Sequence, residues 1–278
     1  MVRKGKRSAS ASSSCGPGNQ VLLLNLSGML TQMEYQKTAV DAVRSIKGLR
    51  LSIINSVDEF VREIAYRPLM VLVFDAGIAE RKETNARRLL RDYVQNGGFA
   101  VFCGLCPSFL DTYMYNRLFR DAFCLEWERG GYTRSDHVLS NLGKKMGVDL
   151  PVSFNCKASM LANVDPAHRL YTCEERPNDC GAAMRRVGAG FIAYLGDVNN
   201  EDATVQILAR ICEWGVKTIP FLADLEAGQP DLSRPYDGGI HEPAIPDEDD
   251  DDDNDDDDEI YYFGSSMAFL AKAMKRSD

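Results

Sequence analysis

The sequence predicts an α/β fold: a flavodoxin-like three-layer sandwich with a mostly parallel central sheet, and disordered tails at both ends. Short apolar runs alternate with segments of helical spacing, which is typical of βαβ units. The run at residues 69–74, LMVLVF, is apolar without interruption, as in a parallel strand buried on both faces. Residues 1–19 and 247–259 are too polar to join a core. We therefore expect one folded domain over residues 20–222.

The first half of this domain alternates strand and helix. Gly48 ends the first helix, and the pair Gly97-Gly98 introduces the fourth strand. We predict strands at residues 21–26, 49–54, 69–74 and 99–103, with helices at residues 31–46, 58–65 and 82–95.

The second half has a weaker pattern. Residues 182–187 and 191–195 flank Gly188-Ala189-Gly190, which predicts a hairpin. The remaining expected pieces are an aromatic-rich segment at residues 119–132, a short helix near 138–146, a helix at 201–214 and a last helix at 267–275.

Charge is concentrated at the two ends of the chain. The formal net charge is −9, and 12 acidic residues lie among the 13 positions 247–259. Arg3, Lys4, Lys6 and Arg7 make the N-terminus basic. The rest of the chain is nearly neutral and offers no basic field, so we expect no direct binding of nucleic acid.

The sequence indicates an intracellular protein, in the cytoplasm, the nucleus or both. No apolar leader follows the basic N-terminus, and no apolar run is long enough for a membrane span. The eight cysteines lie mostly within strand-like and helix-like segments, so we expect reduced thiols. The basic cluster at residues 3–7 resembles a short nuclear-import signal.

One stretch carries the main candidate for catalysis. Residues 99–109 read FAVFCGLCPSF, an apolar strand that ends in a turn containing Gly104, Cys106 and Pro107. An α/β protein places a nucleophile or a ligand site at such a turn. Cys106 is therefore the candidate nucleophile, and the alternative is a thiol packed within the turn.

The order of elements resembles the class I glutamine amidotransferase-like superfamily, and its ThuA-like relatives in particular. The matching strings are LVFDAG at residues 72–77, YVQNGG at 93–98 and GAGFIAYLGDVNNE at 188–201. The resemblance covers residues 20–215. The segment with Trp127, Gly131, Tyr132 and Arg134 resembles one in fungal proteins of this type.

The chain departs from the catalytic pattern that this resemblance implies. The family elbow is G-x-C-x-G, whereas this chain has Ser108 at the second glycine. Pro107 removes the backbone N–H that would serve as an oxyanion-hole donor. The family's His-x-Glu pair is missing, because Gly196, Asp197 and Val198 follow the last strand. We therefore expect a non-catalytic relative; the alternative is a cysteine-dependent hydrolase or amidotransferase-like enzyme that uses Cys106.

Two further interpretations concern the cysteines. Cys103 and Cys106 form a CxxC sequence, which leaves a thiol-redox role open. Structural zinc would need a second pair, and Cys173 and Cys180 have six residues between them, an uncommon spacing. We expect no metal and no cofactor.

A binding pocket is predicted where the strands end. Asp75, Asp197, Asn199 and Glu201 follow strands whose carboxyl ends meet at one edge of the sheet, where open α/β sheets bind ligands. The alternative is that Asp197 and Asn199 cap the helix near residue 201. Two further candidates, Tyr132 and Arg134, would line the pocket from above or belong to aromatic packing.

The acidic tail is the candidate for partner binding. The tract from Asp247 through Asp253 to Glu259 precedes an aromatic motif. Acidic charge beside an aromatic anchor favours a basic protein partner. The alternatives are a solvated spacer and a tract folded back on the basic N-terminus or on Lys272, Lys275 and Arg276. The aromatic residues are Tyr261, Tyr262 and Phe263.

Overall fold

The computed structural model describes residues 19–32 and 36–226. These residues form one mixed nine-stranded sheet with the order β2-β1-β3-β4-β9-β8-β7-β5-β6. The strands are β1 (Gln20–Leu24), β2 (Arg50–Ile54), β3 (Met70–Val73), β4 (Phe99–Phe102), β5 (Glu128–Leu139), β6 (Ser153–Ala162), β7 (Arg169–Thr172), β8 (Ala182–Val187) and β9 (Gly190–Leu195).

The parallel half of the sheet matches the expected architecture. Strands β2, β1, β3, β4 and β9 are all paired in parallel, in the flavodoxin-like order 2-1-3-4-5. Every residue of β1, β3 and β4 is buried, which explains their unbroken apolar runs.

The expectation of a mostly parallel sheet was wrong. Strands β9, β8, β7, β5 and β6 are paired antiparallel, so the two kinds of pairing are equally frequent. The long β5–β6 hairpin escaped prediction because β5 alternates buried with exposed positions only at its end and carries Gly130 and Gly131 at its start.

Helices cover both faces of the sheet. On one face α2 (Val57–Ile64) and α3 (Thr84–Gln95) contribute to a core cluster, and on the other α1 (Gln36–Arg44) and α7 (Asp202–Glu226) do so. Shorter segments are α4 (Cys106–Phe109), α5 (Thr112–Tyr115), a π-helix (Asn116–Ala122), α6 (Asn141–Lys145) and 3-10 turns at Met29–Gln32, Ala76–Ala79, Arg81–Glu83 and Pro166–His168.

Most predicted elements of the domain are present. The hairpin of β8 and β9 is confirmed. The helix expected at 138–146 is confined to Asn141–Lys145, because Val138 and Leu139 complete β5 and Ser140 caps the helix. Helix α7 continues to Glu226, beyond the predicted end at 214. The basic tail, the acidic tract and the helix predicted at 267–275 lie outside the described residues.

No helix within the described residues has both the length and the apolarity that crossing a bilayer requires.

Candidate functional site

Cys106 lies where β4 ends, at the start of the single-turn helix α4. Gly104 has a φ of +66°, and a Cβ at this position would lie 2.6 Å from the Phe74 ring. The turn is held by the Leu105 N–H, which donates to the Phe74 carbonyl at 2.9 Å. Cys106 itself is completely buried in the core. The elbow-like turn is therefore present, but its thiol faces packed side chains.

The surroundings of Cys106 disfavour a thiolate. Burial, and then the negative charge of Asp75, raise the pKa of the Cys106 thiol well above its usual value. An activated cysteine needs the opposite shift, which a nearby cation or an imidazole base provides. Since Pro107 follows directly, the chain also lacks an oxyanion donor at that position.

A buried hydroxyl network lies in the same core cluster as Cys106. The phenolic oxygens of Tyr115 and Tyr194 are 2.6 Å apart, and the Tyr194 hydroxyl donates to the Ser159 carbonyl at 2.6 Å. The Tyr115 oxygen lies 3.0 Å from the Ser159 hydroxyl. Burial raises the pKa of Tyr115 to about 12 and raises that of Tyr194 well above its usual value. These groups therefore cannot act as bases toward the thiol at neutral pH.

Sequence reasoning missed this network. Tyr194 falls within an apolar strand. Because its ring alone explains a tyrosine at that position, the sequence offered no reason to look for a partner of its hydroxyl. The available signal is physical: a phenol on a fully buried strand must find a hydrogen-bond partner.

The two histidines within the described residues have other surroundings. His137 on β5 stacks on Phe154 at a centroid distance of 5.1 Å, and its Nε2 lies 3.4 Å from the Ser135 hydroxyl. His168 belongs to the 3-10 turn at Pro166–His168, and the nearby charges that act on its pKa are Arg185 and Asp165. Neither imidazole is among the groups that act on the pKa of Cys106.

Asp75 anchors the loop that follows β3. One carboxylate oxygen accepts the Ser27 N–H at 2.7 Å, and the other accepts the Gly77 N–H at 3.0 Å. Burial raises the pKa of Asp75 although both hydrogen bonds lower it. The loops after β1 and β3 touch closely, since a Cβ on Gly77 would lie 2.8 Å from the Leu26 Cβ. Both oxygens of the Asp75 carboxylate therefore accept hydrogen bonds from backbone N–H groups of the two loops.

The other predicted pocket residues form a second group, before α7. Asp197 accepts the N–H groups of Asn199 at 2.9 Å and Glu201 at 2.8 Å. Both donors precede Asp202, where α7 begins, so Asp197 orders the turn that leads into the helix, and burial raises the pKa of Asp197. The Arg134 guanidinium binds both carboxylate oxygens of Glu201, at 2.5 and 3.2 Å, and its hydrogen bond lowers the pKa of Glu201.

Tyr132 lies on β5 near this second group. Its ring is half exposed, with the Lys157 ammonium 4.5 Å from the ring centroid. Arg134 also donates to the Asn155 side chain at 2.9 Å. Tyr132 and Arg134 therefore belong to the surface that joins the β5–β6 hairpin to the start of α7.

The CxxC thiols lie in different core clusters. Cys103 packs with the α1 and α7 side of the sheet, whereas Cys106 packs with the α2 and α3 side. Both thiols are free, and burial raises the pKa of each. Within residues 19–32 and 36–226, no three metal-ligating side chains come together.

A cavity of about 270 Å³ opens at the carboxyl ends of β1, β2 and β3. We refer to it as the β1–β3 cavity. Sequence reasoning missed it because its walls come from three loops that are distant along the chain. The lining residues are Leu26, Asn55, Ser56, Val57, Asp58, Gly77, Glu80, Lys82 and Glu83.

Comparisons with known proteins inform the fold. No protein-family model and no curated protein sequence match this chain. A cytoplasmic protein from Salmonella typhimurium LT2 is similar in structure, with a TM-score of 0.52 and 8% identity over 70% of this chain and 98% of that one. At this identity the similarity shows a shared fold alone.

Structures similar to this chain include putative ThuA-like proteins. That from Bacteroides uniformis has a TM-score of 0.49 and 13% identity, covering 77% of this chain and 97% of its own. That from Parabacteroides merdae has a TM-score of 0.47 and 12% identity, covering 72% of this chain and 90% of its own.

Proposed function

We propose that this chain is a non-catalytic, amidotransferase-like protein that acts inside the cell, in the cytoplasm or nucleus, as an interaction or regulatory module. The observation that carries the proposal is the state of Cys106. Its thiol is completely buried, and the nearby charge of Asp75 opposes ionisation. A cysteine in this state is a poor nucleophile.

The surroundings of the thiol support the same conclusion. Amidotransferase-like hydrolysis needs a base near the thiol and donors for the oxyanion. The groups near Cys106 are two phenols of high pKa and one carboxylate that is occupied by backbone N–H groups. These groups stabilise the packed core and offer no route for proton transfer at neutral pH.

In this proposal the acidic tract at residues 247–259 engages a basic protein partner. Twelve carboxylates within 13 residues attract a cationic surface over a range that depends on ionic strength. The adjacent Tyr261, Tyr262 and Phe263 supply apolar anchors for the same partner.

Affinity capture from a cell lysate with three versions of the chain tests this proposal. We expect the full chain to retain basic proteins at low salt and to release them at high salt. Deleting residues 247–259 should abolish this capture and leave the melting temperature nearly unchanged. Cys106→Ser should capture the same proteins as the unaltered chain.

Two outcomes would contradict the proposal. If the chain without residues 247–259 still captures the basic proteins, the tract is not what binds them. Partner processing that Cys106→Ser abolishes would favour the cysteine-dependent enzyme instead.

A further inference from the structure

Helices α1 and α7 begin beside each other at one edge of the sheet. They follow β1 and β9, which both belong to the parallel half of the sheet, so both helices start where the strands end. The two helices pack on the same face. Their starts are joined by a hydrogen bond from the Asn200 Nδ2 to the Gln36 Oε1. We refer to Gln36, Asn200 and Thr204 as the α1–α7 junction. Open α/β sheets bind ligands outside the carboxyl ends of their strands, which is where this junction lies.

Two buried polar atoms of the α1–α7 junction are unpaired. Gln36 is 0% exposed and Thr204 is 4% exposed. Among the described residues, neither the Gln36 Nε2 nor the Thr204 hydroxyl has a hydrogen-bond partner. A buried polar atom without a partner bears its whole desolvation penalty, and folded proteins pair almost all such atoms. Two of them on the starts of two adjacent helices therefore point to a ligand.

The position of Asp197 indicates how the Thr204 hydroxyl is turned. Asp197 is buried in the turn that also carries Asn200. Burial raises the pKa of Asp197, and the Thr204 hydroxyl is among the groups that lower it, although no hydrogen bond of ordinary geometry joins the two side chains. A hydroxyl has this effect when its O–H points toward the carboxylate. The lone pairs of the Thr204 oxygen therefore remain open to a donor.

The unpaired atoms select the chemistry of the ligand. The Gln36 amide nitrogen only donates, so it needs an acceptor, whereas the Thr204 oxygen needs a donor. An anion supplies no donor for Thr204 and would face the Asp197 carboxylate. An ammonium group supplies no acceptor for Gln36. A hydroxyl oxygen meets both needs with a single atom, and its small size suits side chains that are buried.

The backbone at the start of α7 offers a further donor to such an oxygen. The first N–H groups of a helix have no acceptor within the helix. In α7 the Val205 N–H donates to the Glu201 carbonyl at 3.0 Å, so the N–H groups of residues 202–204 precede the helical pattern. A buried water makes about three hydrogen bonds on average. Gln36, Thr204 and one backbone N–H would supply that number.

We propose that the α1–α7 junction binds one hydroxyl oxygen, of a water molecule or of a small alcohol, between the Gln36 amide and the Thr204 hydroxyl. The oxygen accepts an N–H of Gln36 and donates its own O–H to Thr204, and in this way it couples the starts of the two helices. Cys106 packs on the opposite side of the sheet. The proposal is therefore independent of the thiol and of the acidic tract.

The side-chain amide signals of Gln36 in heteronuclear NMR of the full chain test the proposal. In water we expect magnetisation transfer to these protons from a long-lived bound water molecule. Methanol is the alcohol probe, and methylammonium is a control of the same size that cannot accept a hydrogen bond. Saturable shifts of the Gln36 signals with methanol, together with loss of the water contact, would identify an alcohol site. A water contact that persists in methanol would identify water as the ligand.

A matched pair of variants tests the role of the hydroxyl. Thr204→Val keeps the shape of the side chain and should lower the folding equilibrium constant about tenfold, because the bridging hydrogen bond is lost. It should also remove the water or methanol contact at Gln36, which a role of Thr204 confined to Asp197 would leave in place. The control, Thr38→Val, makes the same change at an exposed position of α1 and should alter the constant about twofold or less. Urea unfolding measures both constants.

Three results would overturn the proposal. The first is that neither long-lived water nor methanol contacts the Gln36 amide in the unaltered chain, and the second is that methylammonium shifts its signals as methanol does. The third is that Thr204→Val is as stable as the unaltered chain or more stable, which would mean that the hydroxyl is simply unpaired. Each of these results leaves the lysate-capture test of the acidic tract unaffected.

Discussion

The phenolic oxygens of Tyr115 and Tyr194 lie 2.6 Å apart, inside the core cluster that also contains Cys106. A base near the thiol would be needed for cysteine catalysis. The structure instead has two neutral hydroxyls that bind each other and Ser159. We expect this hydroxyl network to stabilise the core around the elbow-like turn.

Tyr194→Phe should destabilise the fold by about 1–3 kcal/mol, because it removes the donor to the buried Ser159 carbonyl and a partner of Tyr115. Urea unfolding measures the change. The control is Tyr132→Phe, at a ring that is half exposed, and it should lie within about 0.5 kcal/mol of the unaltered chain. Equal effects of the two substitutions would show that the network contributes no stability.

Gly104→Ala should cost more than the same change at Gly147. Both glycines have similar φ values, +66° and +68°. A Cβ at Gly104 would lie 2.6 Å from the Phe74 ring, whereas nothing lies within 4 Å at Gly147. Backbone strain should cost about 1 kcal/mol at both positions, and overpacking should add about 1–3 kcal/mol at Gly104 alone. Denaturant midpoints of the two variants give the difference, and similar midpoints would contradict the packing of the turn against Phe74.

His137 should make the fold sensitive to acid. Burial lowers the pKa of His137 below its usual 6.5, although the charge of Asp136 acts in the opposite direction. Because the unfolded chain binds a proton more readily, stability should be full above about pH 6.5 and fall as the pH drops toward the folded pKa. The slope contributed by one such group is at most about 1.4 kcal/mol per pH unit.

Urea unfolding at pH 7.5 and at pH 5 measures this effect. His137→Phe keeps an aromatic ring against Phe154 and should reduce the loss between the two pH values. The pH dependence of stability that remains in this variant includes a contribution from His168, because burial and then the charge of Arg185 lower its pKa as well. An unchanged loss in His137→Phe would show that His137 is not responsible.

The parallel half of the sheet could be predicted because its strands are buried on both faces. The runs at β1, β3 and β4 are apolar without interruption, so their sequence alone identifies them. The start of β5 contains Arg129 and Gly130, and its pattern did not differ from that of a loop. That segment forms a strand because it pairs with β6, and this pairing joins residues that are distant along the chain.

The candidate site was predictable where local chemistry determines it. Pro107 after Cys106 excludes a backbone donor whatever the fold. The contact between Arg134 and Glu201 could not be anticipated, because the two residues lie on separate elements. The β1–β3 cavity was equally inaccessible, since Asn55 and Glu80 line it from separate loops.

The rate of thiol alkylation in the native chain tests the central claim most directly. Iodoacetamide at pH 7.5 with mass mapping compares Cys106 with Cys124, which is a free and exposed cysteine in the same domain. We expect Cys124 to react first and Cys106 at least ~100-fold more slowly, at a rate that rises only as urea unfolds the domain. Reaction of Cys106 ahead of Cys124 in the folded chain would reveal an accessible, ionised thiol and would contradict the non-catalytic account.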